Sequence, residues 1–443
     1  MFHRSFRFIL GAALLTALPA LASASTSRLE GMGLPGDYTK DYTAIYSWPS
    51  SITSVGNLIY AELGNNQVNQ FTGVPNNYER GMGAVLNNLF DGHFGTWGIH
   101  LREQTPSLGQ GDVMNGPNPG AGGNDPNDNQ NEAFDIMWGR KMGGTSLGLR
   151  VNRSYAKGTD ELAGVTTEFQ YDPLGVANLG NPNLARNIFG LGGGLGFEVS
   201  DKTSAEVSIL WQNRSFDAIS SPTVKVEDNG GTTYQMAGRM MWKWEPNVVV
   251  VPVAKFYSFD LSQKNTNGAT SNSYDNSLKG WQVGIAGNWA LGSNDLFVLG
   301  VNAAQNKLDQ QADIFNLNGG PLSGFGFSDT LKVTETFFPQ VFMALESQVN
   351  HWLTLRFGAK KGVFHSYKVE GNSAGGQQKV EYKDSPFSMN IGAGVKVGSL
   401  QFDTVLDNLF YLNPFAQLQG NQKSAYWQGG GQAFEKVSVT YAW

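Results

Sequence analysis

The chain has 443 residues, with 31 basic against 37 acidic side chains, a net charge of −6, no cysteine, 56 glycines and only 15% charged residues. The acidic balance argues against a nucleic-acid partner, and without cysteine there is no disulfide framework, thiolate metal site or thiol nucleophile. Ordinary soluble domains carry about 25% charge, so this composition, with 12% aromatics, favours a membrane β-barrel over a secreted sandwich or propeller.

His3, Arg4 and Arg7 precede an apolar run from Phe8 to Leu18, which ends at Pro19 and the small-residue box Ala22-Ser23-Ala24. A charged start, a short apolar stretch and an A-x-A site predict a secretory signal peptide over residues 1–24, cleaved after Ala24. The run is shorter than the ~20 residues that span a bilayer. Past it, no apolar run of about 18 residues exists to make a spanning helix.

Residues 25–54 show no clean alternation, yet Tyr38, Tyr42, Tyr46 and Trp48 are too apolar for a solvated tail. Two readings stay open for this segment: a plug inside a barrel, or a periplasmic leader. Tyr42, Tyr46, Trp48 and Pro49 are the candidate plug contacts. The stretch Tyr46-Ser47-Trp48-Pro49-Ser50, after a segment carrying Gly31 and Gly33, resembles the aromatic-x-Asn-Pro-Ala motif that opens FadL-type channels. Trp48 and Ser50 replace the usual Asn and Ala. The resemblance implies an N-terminal hatch, passage of an apolar small molecule, and commonly fewer strands than are counted below.

From residue 55 to 443 the pattern has a period of two. Tyr234, Met236, Gly238, Met240, Trp242 and Trp244 alternate with Gln235, Ala237, Arg239, Met241 and Lys243. Leu353, Leu355, Phe357 and Ala359 alternate with Thr354, Arg356, Gly358 and Lys360. Such alternation predicts strands with two differently solvated faces. The polar faces hold Gly, Ser, Asn and Gln where a water-exposed sandwich would carry Lys and Glu. The apolar segments also have the ~9–11 residues that cross a bilayer at a tilt.

Strands are predicted near 55–64, 78–88, 95–104, 133–141, 145–157, 186–199, 203–217, 231–244, 247–260, 278–291, 295–306, 332–348, 351–367, 385–397, 399–409 and 434–443. That is a transmembrane antiparallel β-barrel of about 16 strands, or 14 if the first pair belongs to the plug. Short connections such as Met142-Gly143-Gly144 and Glu245-Pro246 alternate with long ones such as 105–132 and 307–331, as periplasmic turns alternate with extracellular loops. Trp97, Trp138, Trp242, Trp244, Trp289, Trp352 and Trp443 fall near the short turns or the C-terminus, where an interfacial girdle belongs. The ending Val437, Val439, Tyr441, Trp443 resembles the C-terminal signature read by the barrel-assembly machinery, with Tyr441 and Trp443 as its aromatics. These features imply the outer membrane of a Gram-negative bacterium, with its lipid and that machinery as partners.

Predicted lumen-facing residues are His100, Arg102, Asp135, Arg150, Glu206, Arg214, Arg239, Lys243, Arg356, Lys360 and Asp403, with Glu198, Glu346, Asp407 and Glu435 as further acids. Both signs occur, so no single-sign field selects ions. The remaining histidines have no metal-site spacing, no nucleophile elbow or P-loop is present, and no cofactor is expected. The oxygen-rich run 125–132 lacks the EF-hand pattern and reads as a solvated loop. Three functions follow: a porin-like channel for small solutes, a FadL-like transporter of hydrophobic compounds with a hatch, or a non-transporting structural or assembly barrel. An enzyme is not expected.

Overall fold

The computed structural model describes residues 25–64, 67–68, 75–76, 80–87, 89, 93–102, 132–158, 183–221, 224–260, 262–311, 330–373, 376–406 and 434–443. The expected signal peptide and the run 125–131 lie outside the described residues, as do Asp407 and the side chains of Arg102, Arg214 and Glu435.

Sixteen antiparallel strands close into one cylinder. They are β1 (Leu58–Gly64), β2 (Arg80–Leu86), β3 (Thr96–Arg102), β4 (Glu132–Met142), β5 (Thr145–Gly158), β6 (Asn183–Ser200), β7 (Thr203–Ser221) and β8 (Thr232–Glu245). The second half comprises β9 (Val248–Asp260), β10 (Ser277–Leu291), β11 (Asp295–Gln310), β12 (Leu331–Gln348), β13, β14 (Phe387–Val397), β15 (Leu400–Leu406) and β16 (Phe434–Ala442). Strand β13 has two stretches, Leu353–Gly362 and His365–Ser373, parted at Val363-Phe364, where one unbroken strand was expected. Each strand pairs with the next, and β16 closes on β1 from Leu58 opposite Ala442 to Gly64 opposite Lys436. Closure matters because hydrocarbon offers no partner to an open edge, so every backbone N–H and C=O must be paired within the wall. The first pair belongs to the wall, which fixes the count at 16 and removes the 14-strand alternative.

The alternation sorts side chains between lipid and lumen. On β7, Val207, Ile209 and Trp211 are 48%, 50% and 39% exposed, while Glu206, Ser208, Leu210 and Gln212 between them are buried. Trp97, Trp242, Trp244, Trp352 and Trp443 are exposed at the short-turn end. Trp97 and Trp138 both donate their indole N–H to the Phe94 carbonyl, at 3.1 and 2.7 Å. A second outward band toward the long loops, with Tyr234, Phe256, Trp281, Phe338, Phe364 and Phe387, was not anticipated from the tryptophans alone. On the long-loop side the wall is extended by further pairing: 263–267 forms a hairpin with 270–274, and 376–384 pairs with the second stretch of β13.

Inside the wall runs the N-terminal segment. It holds one short helix, α1 (Thr26–Gly31), and single 3-10 turns at Gly36–Tyr38, Tyr42–Tyr46 and Pro49–Ser54. Its apolar side chains form two cores with the wall. Leu29, Met32, Leu34, Tyr38 and Trp48 pack on Ala237, Val251, Val253, Ala286, Val298, Phe342 and Ala344. Tyr42, Ile45, Tyr46 and Ile52 pack on Leu58, Tyr60, Val85 and Met137. This explains why β9 reads Val248-Val249-Val250-Val251-Pro252-Val253 without alternation: one face meets lipid and the other meets the plug.

Candidate functional site

The lumen is filled where the N-terminal segment crosses it, and the wall is cut to receive that segment. Gly148 on β5 abuts the Pro49 peptide, where a Cβ would lie 2.1 Å from the Pro49 carbonyl carbon. Gly358 on β13 abuts Met32, where a Cβ would lie 1.7 Å from its carbonyl oxygen. Neither position leaves room for any side chain. The small residues of the inward face therefore seat a main chain.

Charge fixes the segment at points around the barrel. Arg28 makes a bidentate pair with Glu346 of β12, at 2.6 and 2.7 Å. Glu346 also accepts from Arg356 Nε at 2.6 Å, and Arg356 reaches Asp403 at 2.8 Å. Burial alone would lower the Arg28 pKa; the Glu346 carboxylate more than reverses this and the guanidinium stays charged. Glu30 takes Lys436 of β16 at 2.8 Å, and Asp37 takes Lys255 of β9 at 2.5 Å. Arg239 pairs with Glu206 at 2.6 Å, donates to the Asp37 and Thr39 carbonyls, and lies 4.6 Å from the Trp48 ring centroid. Charge-assisted bonds of this type are about twice as strong as neutral ones, and buried pairs are costly to break by halves.

Hydroxyl groups complete the fit. Tyr42 donates to Glu62 at 3.1 Å, and Tyr46 meets both Tyr60 and His100 Nδ1. Burial, with the neighbouring Glu62 and Tyr60 adding to it, pushes the Tyr42 hydroxyl well above its ordinary range, so it remains a donor. Arg150 bridges Asp135 at 2.8 Å and the Tyr46 carbonyl at 2.7 Å. Trp48, fully buried, donates to Asp37 at 3.2 Å.

The structure thus brings His100, Asp135, Arg150, Glu206, Arg239, Arg356 and Asp403 onto the inward face, buried, in contact with the N-terminal segment or with one another. Tyr42, Tyr46, Trp48 and Pro49 are buried among them. Lys360 is half-buried within electrostatic reach of Glu30. Lys243 is exposed at the short-turn rim, because the strand has run past the plug there. Glu198, expected inside, is exposed and pairs with Lys141 at 2.5 Å for the same reason. Sequence reasoning missed Lys255, Lys436 and Glu62 on the wall and Arg28, Glu30 and Asp37 on the segment that meets it. The unalternating β9 hid Lys255, and nothing in the N-terminal segment marked its charges as inward.

A second omission is apolar. On the long-loop side of the plug, β9–β13 turn Tyr257, Phe259, Leu278, Leu308, Leu331, Val333 and Val369 into the lumen as one buried cluster, with Tyr367 beside it. A polar lumen was expected, with an apolar pocket required only by the FadL-like alternative; this sector is apolar.

No family model matches the chain, and no curated protein matches it in sequence. Among solved structures, CdiB from Escherichia coli is 10% identical over 89% of this chain and 63% of its own, with a TM-score of 0.42; the chain thus spans less than two thirds of CdiB. The toluene transporter TodX of Pseudomonas putida is 7% identical over 94% of this chain and 96% of its own, at 0.38. A Pseudomonas aeruginosa FadL homologue is 11% identical over 94% and 98%, also at 0.38. The chain is a closed antiparallel β-barrel of 16 strands that weakly resembles FadL-type barrels.

Proposed function

We propose that this protein is a plugged outer-membrane channel that passes small apolar molecules, exported by a signal peptide over residues 1–24. The observation that carries the reading is the order of surfaces along the lumen. An apolar sector around Tyr257, Leu278, Leu308, Val333 and Val369 lies on the long-loop side, above a segment latched to the wall by buried ion pairs. An apolar solute entering from outside would partition onto that sector, since burying its surface there removes it from water. Passage would then require the plug to shift. A water-filled porin needs neither feature. The lumen-facing charges act in this reading as latches, not as an ion-selecting constriction, and no catalytic role is assigned to them.

The test is planar-bilayer conductance of the purified protein with and without residues 25–54, alongside uptake of a small aromatic hydrocarbon by cells. The reading expects a closed intact protein, steady current after truncation, and uptake that depends on the intact chain. Steady open-channel current from the intact protein would return the porin reading. No current from a folded truncated barrel would favour the non-transporting one.

A further inference from the structure

Two adjacent rows of inward side chains cross strands β9 to β13 on the long-loop side of the plug. Phe259, Leu278, Leu308, Val333 and Val369 stand opposite one another in the first row, all apolar and all buried. Two residues nearer the plug along each strand, the second row reads Tyr257, Gly280, Asn306, Glu335 and Tyr367. Two further on, β9 carries Lys255, which takes Asp37 of the plug. Gly280 is what joins the second row. A Cβ there would lie 2.3 Å from the Tyr257 ring, so the ring leans across β10 and its hydroxyl donates to the Asn306 side-chain carbonyl. Asn306 Nδ2 in turn donates to Glu335 at 3.4 Å, and His365 Nε2 meets the same carboxylate at 3.1 Å. The other ring nitrogen of His365 faces Asp384 at 2.5 Å. Tyr257 and Asn306 are buried, whereas the Glu335 side chain keeps 18% exposure, so a solute can reach it.

The hydrogen-bonding sense of this group is one-sided. Tyr257 and Asn306 direct their donors at acceptors within it, and both His365 nitrogens lie against carboxylates. Glu335 and Asp384 together bring about eight acceptor positions, so among these five side chains acceptors outnumber donors. The group asks a partner to donate. A plain hydrocarbon seated on the apolar row would strip water from the Glu335 carboxylate and give no bond back, which is unfavourable. A charged ammonium would have to shed its own water beside Leu308 and Val333. A neutral hydroxyl on an apolar body meets both conditions. We propose that Glu335 is a specificity-determining residue of this channel, accepting the hydroxyl of a small, otherwise apolar molecule whose body lies on Leu308, Val333 and Val369. This rests on the plugged-channel reading above and narrows its solute class. The polar end of the bound solute then stands one row from the Lys255–Asp37 latch.

The experiment uses the full-length protein in lipid nanodiscs and compares three probes of similar size. Ethylbenzene has no polar atom, benzyl alcohol puts a hydroxyl in place of its terminal methyl, and benzyl methyl ether can only accept. Dissociation constants are measured by sealed equilibrium dialysis, with empty nanodiscs subtracted. In Glu335→Leu the affinity for benzyl alcohol relative to ethylbenzene should fall about tenfold, as for the loss of one hydrogen bond to a charged group. Glu335→Gln keeps the shape and exchanges a charge-assisted bond for a neutral one, so the same ratio should fall roughly threefold. The ether should lose nothing in either variant. Heat-modifiable gel mobility verifies the folded barrel, and Glu335→Gln decides the matter alone should Glu335→Leu not fold. An unchanged alcohol-to-hydrocarbon ratio in the folded variants, or a parallel loss for the ether, would overturn the proposal. Saturable binding of none of the three probes to the parent protein would instead overturn the apolar-sector reading itself, and the proposal with it.

Discussion

The peptide of Pro49 rests directly on Gly148, with no space for even a methyl group between the plug and strand β5. Gly194 on the neighbouring strand supports the same segment, where a Cβ would lie 2.9 Å from the Ser50 nitrogen. In the plugged-channel reading, this contact couples one wall position to whether the lumen is open. Gly148→Val would force the plug out of its seat or strain the wall, and overpacking of this kind costs about 1–3 kcal/mol. The expected outcome is a folded barrel whose open-channel probability rises roughly 10- to 100-fold. Gly193, with nothing within 4 Å of a built Cβ, is the control: Gly193→Val should leave conductance unchanged.

The Arg239–Glu206 pair gives a second prediction. Both side chains are buried, and Arg239 also holds the plug through the Asp37 and Thr39 carbonyls, Ser51 and the Trp48 ring. Arg239→Ala leaves Glu206 buried without its partner, a loss of about 3–5 kcal/mol. Glu206→Gln combined with Arg239→Gln removes both charges and should recover part of this. Thermal unfolding in detergent would measure both variants. Equal destabilisation of the single and double variants would show that Arg239 acts through its plug contacts alone.

Much of this architecture was legible in the sequence, and the reasons are specific. Ile209 and Ser208 face opposite solvents, so a period of two survives wherever the lumen face is polar. Met142-Gly143-Gly144 and Gly398 mark tight turns, two of which use a glycine at positive φ, Gly143 at 60° and Gly398 at 63°. The Tyr42, Tyr46 and Trp48 side chains betrayed a segment too apolar for water. What stayed hidden was pairing between distant positions. Nothing local to Arg28 points to Glu346, 318 residues away. The same limit hid the apolar sector: Leu308 and Val333 become neighbours only through the β11–β12 register, which shifts at Asn302/Ala304. Lys243 and Glu198 keep the inward period of their strands but are exposed at the rim, because period alone assigns a face, while depth along the strand decides whether that face is packed.

The lipid-facing surface predicts a depth dependence. Ile209 lies six residues into β7 and is half exposed, whereas Val199 lies beside the short turn that follows β6. A charge placed at mid-bilayer costs about 2–4 kcal/mol, and near the interface about 0–1 kcal/mol. Ile209→Arg should therefore lower unfolding stability in lipid vesicles by several times as much as Val199→Arg. Similar effects at both sites would place the membrane differently along the cylinder.

The apolar sector carries the last prediction, and the most direct one for transport. Val333 sits opposite Leu308 on one side and Val369 on the other, and is 1% exposed. An aspartate there would either ionise among apolar side chains or be held neutral; both remove the affinity of the patch for an apolar solute. The sector shares no residue with the two cores that pack the plug, so the latch should be untouched. Val333→Asp is expected to cut uptake of a small aromatic hydrocarbon about tenfold, the discrimination that one buried apolar group typically provides, with conductance unchanged. Lys332, next in sequence but exposed, is the control, and Lys332→Asp should transport normally. Normal uptake by Val333→Asp would mean that solute takes another path through the barrel, because a carboxyl group cannot sit on the binding surface of an apolar molecule without weakening its capture.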